Sequence, residues 1–214
     1  MRVRHIMSTP VVTVTSDTPV LEAAKLMKER KIERLPVVDK GKLKGIVTKD
    51  RVLHSSPSMA TSLSIGEIHY LFAKLTVNDI MQKDVATVTP ETTIENAVRL
   101  AQDRHVGALP VMEDGKVVGI VTTNDFFYMI LNPILGIGEE GSRLIVRHCE
   151  STEQIANAFR CVADSGLHVL NASYIRSRRG SEKDLIIHVT EEDTGGLSAC
   201  LHEKCQLDVE PRER

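Results

Sequence analysis

The chain of 214 residues has almost no excess of charge: 27 Lys and Arg stand against 29 Asp and Glu, a formal net charge of -2. Without surplus cations there is little to neutralise the phosphates of a polymer backbone, so no nucleic-acid partner is expected. Long apolar runs are missing as well. The longest wholly apolar stretch, residues 126–131, falls far short of the roughly 20 residues that cross a bilayer. The N-terminal "MRVRHIMSTP" has no signal-peptide core. No membrane partner is expected. There is no P-loop, no GxGxxG and no nucleophile elbow, so the usual enzyme signatures are absent and a non-catalytic protein is expected.

Four cysteines, Cys149, Cys161, Cys200 and Cys205, all lie in the last third and form no CxxC pair. They are read as reduced thiols of a cytoplasmic protein. Cys149, Cys161 and Cys200 are expected to fill core positions. His148 with Cys149, and Cys200, His202 and Cys205, lack structural-zinc spacing, so no metal centre is expected.

What the chain does have is a repeat. A constant offset of 74 residues, without a gap, carries "HIM" onto "DIM", "VVTVTSDTP" onto "VATVTPETT", "RLPVVDKGK" onto "ALPVMEDGK" and Gly45–Thr48 "GIVT" onto the "GIVT" that starts at Gly119. So long a period fits a duplicated small domain better than a solenoid unit. In each copy Val20, Ala23, Ala24 and Met27 recur as Ile94, Ala97, Val98 and Ala101, the spacing of an amphipathic helix. Pro19 opens the first helix, and Thr92 with Glu95 has the form of a capping box on the second. Short apolar runs around "KGK" and "DGK" turns predict a hairpin in each copy. The expected division is 1–54 and 77–131 for the two copies, with 55–76 and 132–141 as linkers. Ile65, Ile68, Leu71 and Phe72 predict a helix in the first linker.

From 142 to 214 the order changes to strand, helix, two strands, helix and strand, a ferredoxin-like βαββαβ arrangement. Its first helix should bury Ile155, Ala158, Phe159 and Val162, and its second Leu197, Cys200 and Leu201. The basic segment 176–183 reads as a solvated hairpin tip, with an anion or partner contact as the rival reading. The fold class expected for the whole is α+β.

The chemistry is concentrated where "GIV" is followed by Thr122 and, three residues on, Asp125. Thr122 is a natural helix N-cap, and an ionised Asp125 offers two acceptor oxygens that suit the two hydroxyls of a ribose. A capping box alone explains the same spacing equally well. The first copy departs from this pattern, because Thr48 is followed by Arg51, and Asp50 sits one position early. Arginine only donates, so Arg51 either points to solvent or is compensated by an anion such as a phosphate.

These motifs resemble tandem cystathionine-β-synthase (CBS) domains, the Bateman module, whose units close on Gly-apolar-apolar-Ser/Thr-x-x-Asp after an "LPV" strand. The resemblance implies clefts between the two copies that take an adenosine ligand: AMP, ADP, ATP or S-adenosylmethionine. It places the ribose on Thr122 and Asp125, beside Val121 and Asn124, and the base against Pro10, Val11, Val12 and Ile32. A second site, with Thr48, Arg51, Val85, Ala86 and Val106, is then empty or takes phosphate. The C-terminal third resembles an ACT domain by element order, which implies either amino-acid binding or dimerisation. The whole order is similar to the acetoin-utilisation regulatory proteins of the B type. The implied function is a cytoplasmic, homodimeric, non-catalytic regulator that acts on an enzyme or transporter; the alternative is a structural dimerising adaptor.

Overall fold

Val20, Ala23 and Met27 are buried along one side of helix α1 (Val20–Arg30), and Ile94 and Ala97 do the same for α4 (Ile94–Asp103). These helices belong to a computed structural model that describes residues 1–55, 74–176, 183–205 and 208–212. The helix expected at Ile65–Phe72 and the tip of segment 176–183 lie outside the described residues. Pro19 is the N-cap of α1, as its fixed φ suits. On α4 the cap is Thr93 rather than Thr92: Thr93 accepts from the Asn96 backbone N–H, whereas Thr92 Oγ1 accepts from Thr89 N at 3.0 Å and closes the preceding turn.

The hairpins follow the turn chemistry. Strands β1 (Arg34–Asp39) and β2 (Lys42–Thr48) pair antiparallel, as do β3 (Ala108–Glu113) and β4 (Lys116–Thr122). Each two-residue turn, Lys40-Gly41 or Asp114-Gly115, has positive φ at both positions, the twist that suits a tight hairpin. Both ladders slip at the same place, between Val37 and Val38 and between Val111 and Met112. The duplication therefore extends to its irregularities.

One feature departs from two self-contained copies: they exchange their leading segments. Ser8 pairs with Ile120 of β4, and Val3 N donates to Thr92 O at 2.9 Å. Conversely, Gln82 pairs with Ile46 of β2, and Val77 N, at the start of helix α3 (Val77–Ile80), donates to Thr18 O at 2.8 Å. Each copy is completed by the segment that precedes the other. Gly45 and Gly119 make room for this, since a Cβ there would come within 2.7 Å of Met81 Sδ and 2.8 Å of Met7 Sδ respectively. The core of the first copy gathers Val14, Val20, Ala23, Met27, Leu35, Val37, Val47, Val52 and Val77.

Met1–Phe126 and Phe127–Arg214 form separate compact units. Helix α5 (Thr123–Phe126) closes the first unit. The second opens with a π-helical turn over Phe127–Leu131 and helix α6 (Asn132–Leu135). Then come β5 (Ser142–Val146), α7 (Thr152–Ser165), β6 (Val169–Arg176), β7 (Lys183–Val189), α8 (Gly195–Cys205) and β8 (Val209–Arg212). The four strands make one antiparallel sheet in the order β6-β7-β5-β8, so each helix bridges two strands that are separated by a third. Leu144, Val146, Leu185, Ile187 and Val189 form the sheet side of a core that α7 and α8 close with Ala158, Cys161, Val162, Leu197 and Leu201. Phe159 is not part of that core: it is 38% exposed, and Cys161, two residues on, takes the buried position. Cys161 and Cys200 are joined in a disulfide with Cα atoms 5.8 Å apart. This corrects the expectation of reduced thiols and removes Cys200 from any metal-ligand set.

Candidate functional site

Both copies end their second hairpin strand on a threonine that caps a short helix. Thr48 ends β2 and caps α2 (Lys49–His54), its Oγ1 accepting from Arg51 N at 3.3 Å. Thr122 ends β4 and precedes α5, and Asp125 lies one turn in. Asp125 Oδ2 accepts from Thr122 N at 2.7 Å and from Thr122 Oγ1 at 2.8 Å, while Asp125 N donates back to Oγ1 at 3.4 Å. This is a complete capping box.

The same pair exists where no ribose is expected. Thr76 and Asp79, at the start of α3, make both contacts at 2.8 Å, and the Thr76 backbone N–H, followed by its hydroxyl, holds the Asp79 carboxyl below its ordinary range. The cap hydrogen bonds around Asp125 are therefore not in themselves the mark of a ligand site. What the cap leaves is Asp125 Oδ1, which has no hydrogen-bond partner among the described residues. Oδ2 already accepts twice within the cap, so the acceptor left open for a ribose is Oδ1.

Arg51 is exposed, the first of the two courses expected of it, but it is not without a partner. Its Nη1 donates to Ile80 O at 3.1 Å, the carbonyl that ends α3, where a cation satisfies a last-turn acceptor. Arg51 is thus tied to the helix that the second copy lends to the first.

Between the copies lies a cleft of about 390 Å3. Thr48, Val85, Ala86 and Val106, all named for the second site, line it, while Arg51 does not. Its charged and polar lining comes instead from Glu33, Arg34, Lys49, Asp50, Gln82 and His105. Arg34 and Lys49 are cations that sequence reasoning missed, and Arg34 is the one that reaches the other copy. It stands in the repeat where the second copy has Ala108, so no shared motif announces it. Its guanidinium crosses to the other copy, where a Cβ on Gly107 would lie 2.6 Å from Nη2. Gly107 is needed for that approach, and its carbonyl accepts from both Thr123 N (3.1 Å) and Thr123 Oγ1 (3.2 Å).

By the 74-residue offset, Thr48, Val85, Ala86 and Val106 correspond to Thr122, Val11, Val12 and Ile32, the residues named for the first site. Val11 and Val85 both pack against a small central cluster of Ile46, Ala108 and Ile120. Val12 and Ile32 pack on the first copy's core, and Pro10 and Asn124 are exposed. Val121 is different. It is fully buried opposite Leu109, so its side chain belongs to the core and cannot face a ligand.

Residues 3–58 and 77–132, more than half of the chain, match the family model of the CBS domain. The chain belongs to the CBS-domain family. Over 132 residues it is 36% identical to an inosine-5'-monophosphate dehydrogenase of Korarchaeum cryptofilum, a match that takes in 61% of this chain but only 25% of that enzyme. Among solved structures, the CBS domain pair of protein MJ0100, in complex with 5'-methylthioadenosine and S-adenosyl-L-methionine, superposes with a TM-score of 0.52 at 28% identity, covering 62% of this chain and 97% of that one. A Vibrio cholerae protein assigned to acetoin utilisation gives a TM-score of 0.52 at 26% identity, covering 62% and 91%. Among the described residues of this CBS pair and the unit that follows, no helix is long and apolar enough to cross a membrane, and no three His, Cys, Asp or Glu side chains gather as a metal site.

Proposed function

We propose that the CBS pair is a regulatory module that binds an adenosine ligand, such as AMP, ADP, ATP or S-adenosylmethionine, between its two copies and catalyses no reaction of its own. The cleft of about 390 Å3 carries this reading, because both copies supply its walls and its lining combines apolar side chains with an arginine. The solved CBS pair that holds 5'-methylthioadenosine and S-adenosyl-L-methionine adds support. The two clefts are not equivalent. On the Thr122 side, Asp125 Oδ1 takes the ribose; on the Thr48 side, Arg34 takes phosphate.

Replacing Asp125 with alanine removes charge-assisted acceptance and should weaken ribose-dependent binding tenfold or more. Arg51→Ala should change no ligand affinity, because that side chain serves Ile80 O. Arg34→Ala should weaken only phosphate-dependent binding in the Thr48-side cleft and leave the ribose site at Asp125 unchanged. Thermal shift with adenosine, AMP, ATP and S-adenosylmethionine tests the reading, since a ligand at a hundred times its dissociation constant adds about 2.7 kcal/mol of stability. If none of the four raises the midpoint, the structural adaptor is the better account.

In the same reading the C-terminal unit is an ACT-like domain that passes the state of the clefts to a regulated enzyme or transporter, in a cytoplasmic homodimer connected with acetoin or central carbon metabolism. Its strand order supports the first part, and the likeness to the Vibrio cholerae protein supports the last. Light scattering should return twice the chain mass; a monomer would remove the dimer from this account.

A further inference from the structure

The sheet of the C-terminal unit has two faces, and only one is covered by α7 and α8. On the other face Arg143 of β5 lies opposite His188 of β7, and His188 lies opposite Asn171 of β6. The segment from α6 to Gly141 folds over this row. Ser173 Oγ donates to Ile134 O at 3.3 Å, and the Asn171 amide, oriented to suit its neighbours, donates to Ile134 O at 3.1 Å and accepts from Gly136 N at 3.3 Å. His188 is 1% exposed, with Nε2 3.0 Å from Glu140 O, so that nitrogen carries the proton. Gly136 has φ of 60°, and a Cβ there would lie 2.2 Å from His188 Nδ1. Under this strap remains a cavity of about 420 Å3, lined by Ile134, Leu135, Ile137 and Ile186 on its apolar side and by Arg143, Asn171, Ser173 and His188 on its polar side.

Arg143 decides what the cavity suits. One guanidinium nitrogen donates to Gly136 O, but Nε is buried without a hydrogen-bond partner among the described residues. A guanidinium cannot shed its proton, so Arg143 stays cationic beside the cavity and favours an anionic occupant. We propose that this cavity binds a small aliphatic carboxylate, its anionic end on Arg143 and its hydrocarbon body against the isoleucines and Leu135. A monoanion is favoured over phosphate because a single guanidinium serves the site. The apolar wall requires a branched or straight alkyl chain, and the volume lies within the ~300–1,000 Å3 typical of small-molecule pockets. The site lies wholly in the C-terminal unit and does not depend on the adenosine clefts.

Calorimetric titration of the full chain with 4-methylpentanoate and with the neutral 4-methylpentanamide tests it. The carboxylate should bind at least tenfold more tightly than the amide, and Arg143→Gln should abolish that preference. Ser173→Leu, which fills the cavity without touching charge, should weaken the carboxylate tenfold or more, and it decides the matter if the Arg143 variant does not fold. Absence of binding, equal binding of acid and amide, or undiminished binding by both variants would overturn the proposal.

Discussion

Deletion of residues 1–8 is expected to lower stability by roughly 3–6 kcal/mol and to loosen the second CBS copy before the first. Val3 is fully buried and Ile6 is 6% exposed, and losing two such side chains from a core costs about 1.5–3 kcal/mol each. The deletion also strips the partners from two amides, because Ile94 N donates to Met1 O and Ile120 N to Ser8 O. The ion pairs of Arg2 and Arg4 with Glu91 are exposed and contribute little. Urea unfolding gives the total, and hydrogen exchange gives the place: Ile94 and Ile120 should lose protection while Val20 and Ile46, whose partners are Leu75 and Gln82, retain it. Loss centred on Val20 and Ile46 would mean that the leading segments are not exchanged.

Opening the Cys161–Cys200 disulfide should cost the C-terminal unit roughly 2–4 kcal/mol, because the bond closes a loop across a sequence separation of 39 and ties α7 to α8. The effect falls on one unit, since the core of Leu144, Ile187, Leu197 and Leu201 that it fastens belongs to that unit alone. A urea titration with and without reductant should show a lower midpoint for the reduced chain, and Cys161→Ala should reproduce it without reductant. Identical midpoints, or four titratable thiols in the untreated protein, would contradict the pairing.

Much of this architecture was legible because the same instruction is written twice. The "KGK" and "DGK" turns force positive φ at the same two positions, and the apolar spacing of α1 returns in α4, so hairpins and helices could be placed from periodicity alone. The exchange of leading segments could not. A repeat states which residues correspond, but pairing Ser8 with Ile46 or with Ile120 satisfies the same pattern. The candidate site divides in the same way. Thr48, Val85, Ala86 and Val106 were found because they sit at motif positions, whereas Arg34 was missed because it replaces an alanine where the copies differ. The tie of the exposed Arg51 escaped for a related reason: its partner, Ile80 O, belongs to a helix that local sequence assigns to the other copy. The disulfide escaped because spacing within the chain says nothing about which cysteines meet when α7 and α8 pack on one sheet.

The claim that an adenosine ligand occupies unequal clefts is tested most directly by the stoichiometry of binding. Calorimetric titration of AMP into the unmodified chain should return one tight site per chain, weakened tenfold or more by Asp125→Ala and unchanged by Arg51→Ala. Two equivalent sites per chain, or an Asp125→Ala variant that binds AMP as tightly as its parent, would contradict the account.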